Sequence, residues 1–219
     1  MPPTIVNSST ATLRANIEKE GRIVLIDPLD LLGGTPGELY DMGLFPTDAR
    51  IAPSIDVTRE TIRAASREGG EDITVGEEVR DVTISYDIPV LSPDAYIRAL
   101  HAGSAAVIAE SGTLATVRAY GFNPSAGVLV RFINVRKRPS GVHRVIWHPR
   151  MQLSPQAPGD ANGNDTLVFR GVVQAFTYTP GGALATFDAA ITQYGAEFHV
   201  PDALLDELLE ALQGEALPA

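Results

Sequence analysis

The sequence has no cysteine among its 219 residues. Disulfides, thiolate metal sites and cysteine nucleophiles are excluded together, so stability has to come from packing or assembly. Aromatic residues make up only 6%, which gives little support to a ligand cavity lined by convergent polar and aromatic groups. No apolar run approaches the roughly 18 residues of a membrane-spanning helix. Residues 1–20 are rich in Ser and Thr and lack a basic start followed by an apolar core, so no Sec signal is expected. Basic residues are absent from positions 171–219, where 7 acids stand.

What is present is a chain with 44% hydrophobic residues, enough to bury the core of one large β domain but a tight fit for two. The formal net charge is −10, which argues against a general nucleic-acid binder, because such affinity depends on cations that neutralise phosphates. The charge is unevenly placed. Residues 1–110 hold 18 acids and 9 bases, and residues 111–170 hold 2 acids and 8 bases. The chain is acidic at both ends and basic in the middle, an arrangement that reads equally as unrelated solvated faces or, if the patches lie on opposite faces, as head-to-tail contact between copies.

Met1 to the residues before Arg22 read as an N-terminal arm (1–21), since turn formers and few large apolar residues offset little ordering entropy. Arg22–Ile26 reads as a short buried strand. The stretch 29–53 is Gly- and Pro-rich and reads as a long excursion. Ile55–Ala65 alternates as a strand, 66–79 reads as an acidic loop, and Asp81–Leu91 is a strand with Val82, Ile84, Tyr86 and Ile88 on one face. Pro89 suggests an end not paired on both sides. Ser92-Pro93-Asp94 starts a helix, with Ser as N-cap and Pro at the first helical position; Tyr96, Ile97 and Leu100 form its apolar stripe and Gly103 its stop. Strands are expected at Thr113–Tyr120 and Val128–Lys137, the latter returning through Arg138–Gly141 into Val142–Leu153. A second hairpin is expected from Thr166–Tyr178 and Ala183–Thr192. Pro201–Gln213 reads as an amphipathic helix with Leu204, Leu205, Leu208, Leu209 and Leu212 on one side, docked on its own domain or on another subunit. The organisation is thus an arm (1–21), a β-sandwich or barrel domain (22–200) with long loops at 29–53 and 66–79, and a C-terminal helix and tail (201–219).

No catalytic set emerges. Gly33–Gly37 lacks the lysine and spacing of a phosphate loop, and Pro36 removes a backbone N–H such a nest would use. His143 and His148, five apart on one strand, point to opposite faces; His101 lies in the last turn of a helix, where a cation suits the dipole; His199 precedes the terminal helix. No G-x-S-x-G elbow occurs. Neither enzyme activity nor cofactor nor metal is expected. Arg136-Lys137-Arg138 at a hairpin tip is the one dense basic spot; it reads either as a solvated tip or as an inter-subunit contact that meets the acidic tip with Glu68, Glu71, Asp72, Glu77 and Glu78 of a neighbouring copy.

Several segments together resemble the tail tube protein of long-tailed bacteriophages: Ile55–Ile62, the acidic loop with Glu77-Glu78-Val79, the strand Val82–Ile88 and the helix Ser92–Leu100. Later, Leu167–Phe176, a Pro-Gly-Gly turn and Ala183–Phe187 resemble that family's closing hairpin. The resemblance covers residues 55–192 in element order and texture and leaves out the sections before 55 and after 200. It implies a β-sandwich or barrel flanked by a helix, six copies closing into a ring by sheet continuation, and rings stacking into a hollow tube. It implies a virion protein assembled in the bacterial host cytoplasm, with tape-measure and tail-end proteins as partners and DNA passing through the lumen without specific binding. Closure by symmetry would also remove exposed sheet edges. The alternatives within reach are another virion ring protein, an injection-system tube, or a monomeric β-barrel binding module.

Overall fold

A computed structural model describes residues 22–29, 37–49, 51–64, 73–91, 93–102, 107–109, 118–120, 123, 125, 127–137, 141–156, 159–161, 164–177, 184–186, 188 and 192–214. The N-terminal arm (1–21), Gly103 and most of the Gly-rich stretch 33–37 lie outside them. The chain is mainly β and antiparallel, with two helices, one of them C-terminal.

In chain order the strands are β1 (Arg22–Pro28), β2 (Tyr40–Asp41), β3 (Ser54–Ala64), β4 (Ile73–Val90), β5 (Val107–Ala109), β6 (Arg118–Tyr120), β7 (Val128–Arg136), β8 (Val142–Pro155), β9 (Gly159–Ala161), β10 (Asn164–Val173) and β11 (Ala196–Pro201). Helix α1 (Ala95–His101) follows β4, and α2 (Leu205–Gly214) follows β11 through a 3-10 turn at Asp202–Leu204. The main sheet runs β2-β1-β7-β8-β10-β4-β3, with β11 added to β8 and β9 to β10. β5 and β6 pair separately.

This sheet is rolled. β4 and β7 are three places apart in the strand order, which in a flat sheet would be about 14 Å. Yet the rings of Tyr86 on β4 and Phe132 on β7 have centroids 5.1 Å apart. A backbone bond of 2.8 Å from Leu91 N–H to the Leu44 carbonyl joins the end of β4 to the segment after β2, so the two sides of the roll meet. The interior holds Val24, Ile26, Tyr86, Ile88, Val130, Phe132, Met151, Leu153 and Phe169, with Ile97 and Leu100 of α1 packed in.

The opposite face of β1, β7 and β8 is also apolar. Ile23, Leu25, Ile133, Val135, Val145 and Trp147 are covered there by Phe176, Leu184 and the α2 leucines 205, 209 and 212. The C-terminal helix therefore docks on its own domain. Leu204 stays 47% exposed, because the 3-10 turn that holds it advances the chain by a different angle from an α turn.

β8 changes both neighbour and phase midway. Its outer edge pairs with β11 over Val142–Trp147 and with β10 over Met151–Pro155. Against β7, Phe132 opposes His148 and Val130 opposes Met151, so β8 carries one extra residue in a bulge at Pro149–Arg150. Proline is tolerated there because the interrupted ladder needs no N–H. The bulge explains why Trp147 and Met151, four apart, pack on opposite faces.

Several local readings are corrected. The helix α1 begins later than expected: Asp94, not Ser92, is the N-cap, its carboxylate accepting the Ile97 N–H at 2.9 Å, and Pro93 lies just outside. The supposed loop 66–79 is strand from Ile73 onward. The expected second hairpin falls largely outside the described residues, with 178–183, 187 and 189–191 beyond them, and a backbone bond of 2.9 Å runs from Phe176 N–H to the Gln193 carbonyl. Both edges of β10 are taken, by β8 and β4, and Leu184–Thr186 make a turn with Leu184 buried under the second face. β4 keeps the expected alternation, and Pro89 pairs with β10 alone, because β3 reaches only to Ser85.

Candidate assembly interface

Of the 18 residues of β4, only Ile84–Val90 pair with β10. Residues 73–83 pair with β3 alone, so β3 and the first part of β4 form a two-stranded arm that runs roughly 35 Å past the last pairing with β10 at the usual strand rise. Two shifts of register, after Thr58 and after Ile62, put extra residues at Arg80 and Val75 and increase the local twist.

The register divides the arm into two faces. One carries Ile55, Val57, Val79, Val82 and Ile84, a stripe that begins at Ile84 against the core and runs outward. Ile55 is 62% exposed and Val79 50% exposed. The other face carries Asp56, Glu60, Glu78, Arg80 and Asp81. Ion pairs brace both faces: Arg59 to Glu77 at 3.4 Å, and Arg80 to Glu60. These pairs are solvent-exposed and contribute at most about 1 kcal/mol each. The outer edge of β3 has no partner among the described residues, so its free N–H and C=O groups lie beside exposed apolar side chains. Such an edge is a template for another strand.

The expected contact residues are distributed differently from the sequence reading. Glu77 and Glu78 stand on β4 in the arm, not in a loop. Arg136 ends β7 half-buried, and its guanidinium donates to the Ile51 carbonyl, holding its own chain. Burial and the neighbouring Arg144 and Arg22 push its pKa down. The Lys137 ammonium lies 4.0 Å from Asp202 within the chain. Glu68, Glu71, Asp72 and Arg138 lie outside the described residues.

The histidines are absorbed by structure. His101 is buried, with Nε2 3.2 Å and 3.1 Å from the carbonyls of Gln156 and Val168, and burial lowers its pKa. It is therefore a neutral core group, not the helix-end cation expected from its position. His148 sits between the Tyr194 carbonyl, 2.5 Å from Nδ1, and the Tyr86 hydroxyl, 2.6 Å from Nε2. Burial pulls its pKa down to about 4 and raises that of Tyr86. The neutral ring thus donates at Nδ1 and accepts from Tyr86 at Nε2. His143 contacts Asp202 at 2.8 Å, and His199 contacts Glu197 at 3.0 Å. Among the described residues no three His, Asp or Glu side chains converge as a metal site. No described helix is long and apolar enough to cross a membrane.

A buried ion pair that sequence reasoning missed anchors the terminal helix. Arg131 and Asp27, both 0% exposed, meet at 2.8 Å. Arg131 also donates to the carbonyls of Leu212 and Gln213, supplying positive charge to the negative end of α2, which has no base in its last turn. Asp27 accepts the Gly37 N–H at 2.7 Å.

No protein-family model and no curated protein matches this sequence.

Proposed function

We propose that this chain is a structural subunit that assembles with copies of itself, in stacked rings forming a hollow tube of the phage-tail kind, for conduction rather than catalysis. The observation that carries the reading is the β3–β4 arm: a long two-stranded projection with an unpartnered outer edge and an apolar stripe in water. A monomeric protein has little reason to keep such an edge, and closing it on a second copy would continue the sheet across the subunit boundary. The filled interior, packed with Tyr86, Phe132, Met151 and Phe169, speaks against a ligand-binding barrel. The tail-tube identity rests on the sequence resemblance, whose first half falls on the arm and α1. Its second half falls on β10 and on residues that lie largely outside the described ones.

Negative-stain electron microscopy with light scattering, across protein concentration and salt, tests the reading. Rings or tubes are the expected particles. A monomer under every condition, including addition of preformed ends from a tail assembly, overturns it.

A further inference from the structure

Cross-strand register lines up Arg22 of β1, Arg136 of β7, Arg144 of β8 and His199 of β11 as direct neighbours on four adjacent strands. Directly opposed residues share a face, so three guanidinium groups and an imidazole stand in one row at one end of the rolled sheet. Like charges so placed repel one another. Glu197 is the one carboxylate within ion-pair distance of this row among the described residues, 2.5 Å from Arg144 and 3.0 Å from His199. Arg22 and Arg136 reach only backbone carbonyls, those of Ala49 and Ile51. The Nε atoms of Arg136 and Arg144 are shut off from water with no hydrogen-bond acceptor. The row thus has more cationic donors than the described residues supply acceptors, yet Arg144 keeps 31% of its side chain exposed.

The arm has the opposite imbalance. Residues 54–64 and 73–83 contain 5 acids and 3 bases. On its charged face Glu60 is matched by Arg80, whereas Asp56, Asp81 and Glu78 have no ion-pair partner among the described residues. Asp81 lies opposite Thr58 and Glu78 opposite Glu60, which spaces these carboxylates along the arm at two-residue steps of roughly 7 Å. Among the described residues no ion pair joins these carboxylates to the arginine row.

We propose that the Arg22–Arg136–Arg144 row receives the charged face of the arm of a second copy, with Asp81 and Glu78 as the carboxylates that engage it. This contact rests on the self-assembly reading and deepens it. The apolar stripe supplies attraction, and the carboxylate-to-arginine match sets which surface the arm meets and in what register. Arg144 is the residue to alter, because Arg136 supports its own fold.

The test uses Arg144→Glu and the double variant Glu78→Arg/Asp81→Arg, each checked for native circular dichroism and melting, with Arg144→Gln as a milder variant in case the reversal unfolds. Sedimentation velocity and electron microscopy at low salt should show each charge-reversed protein needing at least about tenfold more protein to assemble than the unaltered chain, with the mixture of the two regaining assembly. The difference should shrink toward 1 M salt, where screening is nearly complete. Folded Arg144→Glu that assembles like the unaltered chain, or a mixture that fails to regain assembly, overturns the contact while leaving self-assembly standing. An unaltered chain that never assembles overturns both. If Arg144→Glu assembles normally but loses a phosphate-dependent rise in melting temperature seen in the unaltered chain, the row is a free-oxyanion site and the arm contact is wrong.

Discussion

Removing the Arg131 guanidinium should cost more stability than any surface change, and the structure says why. Arg131→Met leaves the Asp27 carboxylate at 0% exposure with the Gly37 N–H as its remaining donor among the described residues, and leaves the end carbonyls of α2 without their cation. Stranding one partner of a buried ion pair typically costs about 3–5 kcal/mol. In a domain of this size that corresponds to a drop of roughly 10 °C in melting temperature. The loss also has a pH signature. Burial already pushes the Asp27 pKa above 3.8, and Arg131 pulls it back. In Arg131→Met the pull is gone, so the folded-state pKa rises further above the unfolded value. The folded state then binds more protons between the two values, and the variant's deficit shrinks as pH falls through the raised pKa. Urea unfolding of the single variants and of Arg131→Met/Asp27→Leu measures this directly. The double variant should be less destabilised than the sum of the singles, by at least ~1.5 kcal/mol. A single-variant loss below about 1 kcal/mol, or additive losses, would refute the anchoring role.

Three further outcomes follow from the same geometry. His148 is held neutral with a pKa of about 4 against 6.5 when unfolded, so the unfolded state binds more protons in that window and stability should fall by about 3 kcal/mol from pH 7 to pH 4; a His148→Gln variant with the same acid slope would contradict this assignment. Gly195 adopts φ of +119°, and a Cβ there would strike the Trp147 carbonyl, so Gly195→Ala should lose about 1–3 kcal/mol in thermal melts and a neutral result would count against the described turn. Val57→Asp changes a side chain 40% exposed on the arm, so the monomer's stability should stay within about 0.5 kcal/mol while assembly measured by light scattering is lost; retained assembly would show that the stripe is not buried between copies.

Much of the body was legible because one face of each element is buried. The alternation of Ile84, Tyr86 and Ile88, the β7–β8 hairpin and the leucine face of α2 all follow from apolar residues meeting a core at the period of their secondary structure. Of the arm, Ile55–Ala65 was legible as the strand β3, but the outer part of β4 was not, because it is wet on both faces and has no single buried side to impose a pattern. Thr74, Glu77 and Glu78 therefore read as a polar loop. β10 was legible as a strand, but its partners β8 and β4 lie far from it in sequence, so the pairing gave no local signal. The Arg131–Asp27 pair spans 104 positions and gives no local signal. Pro149 inside an apolar strand was the available hint of the β8 bulge.

The central claim is that the outer edge of β3 closes on another copy of the chain. Hydrogen–deuterium exchange read over Ser54–Ala64, first at concentrations where the chain is monomeric and then in isolated assemblies, addresses it without any substitution. The amides of β3 that point away from β4 should exchange rapidly in the monomer and become strongly protected in the assembly. Assemblies in which those amides exchange as fast as in the monomer would contradict the account, because the subunits would then be joined through another surface.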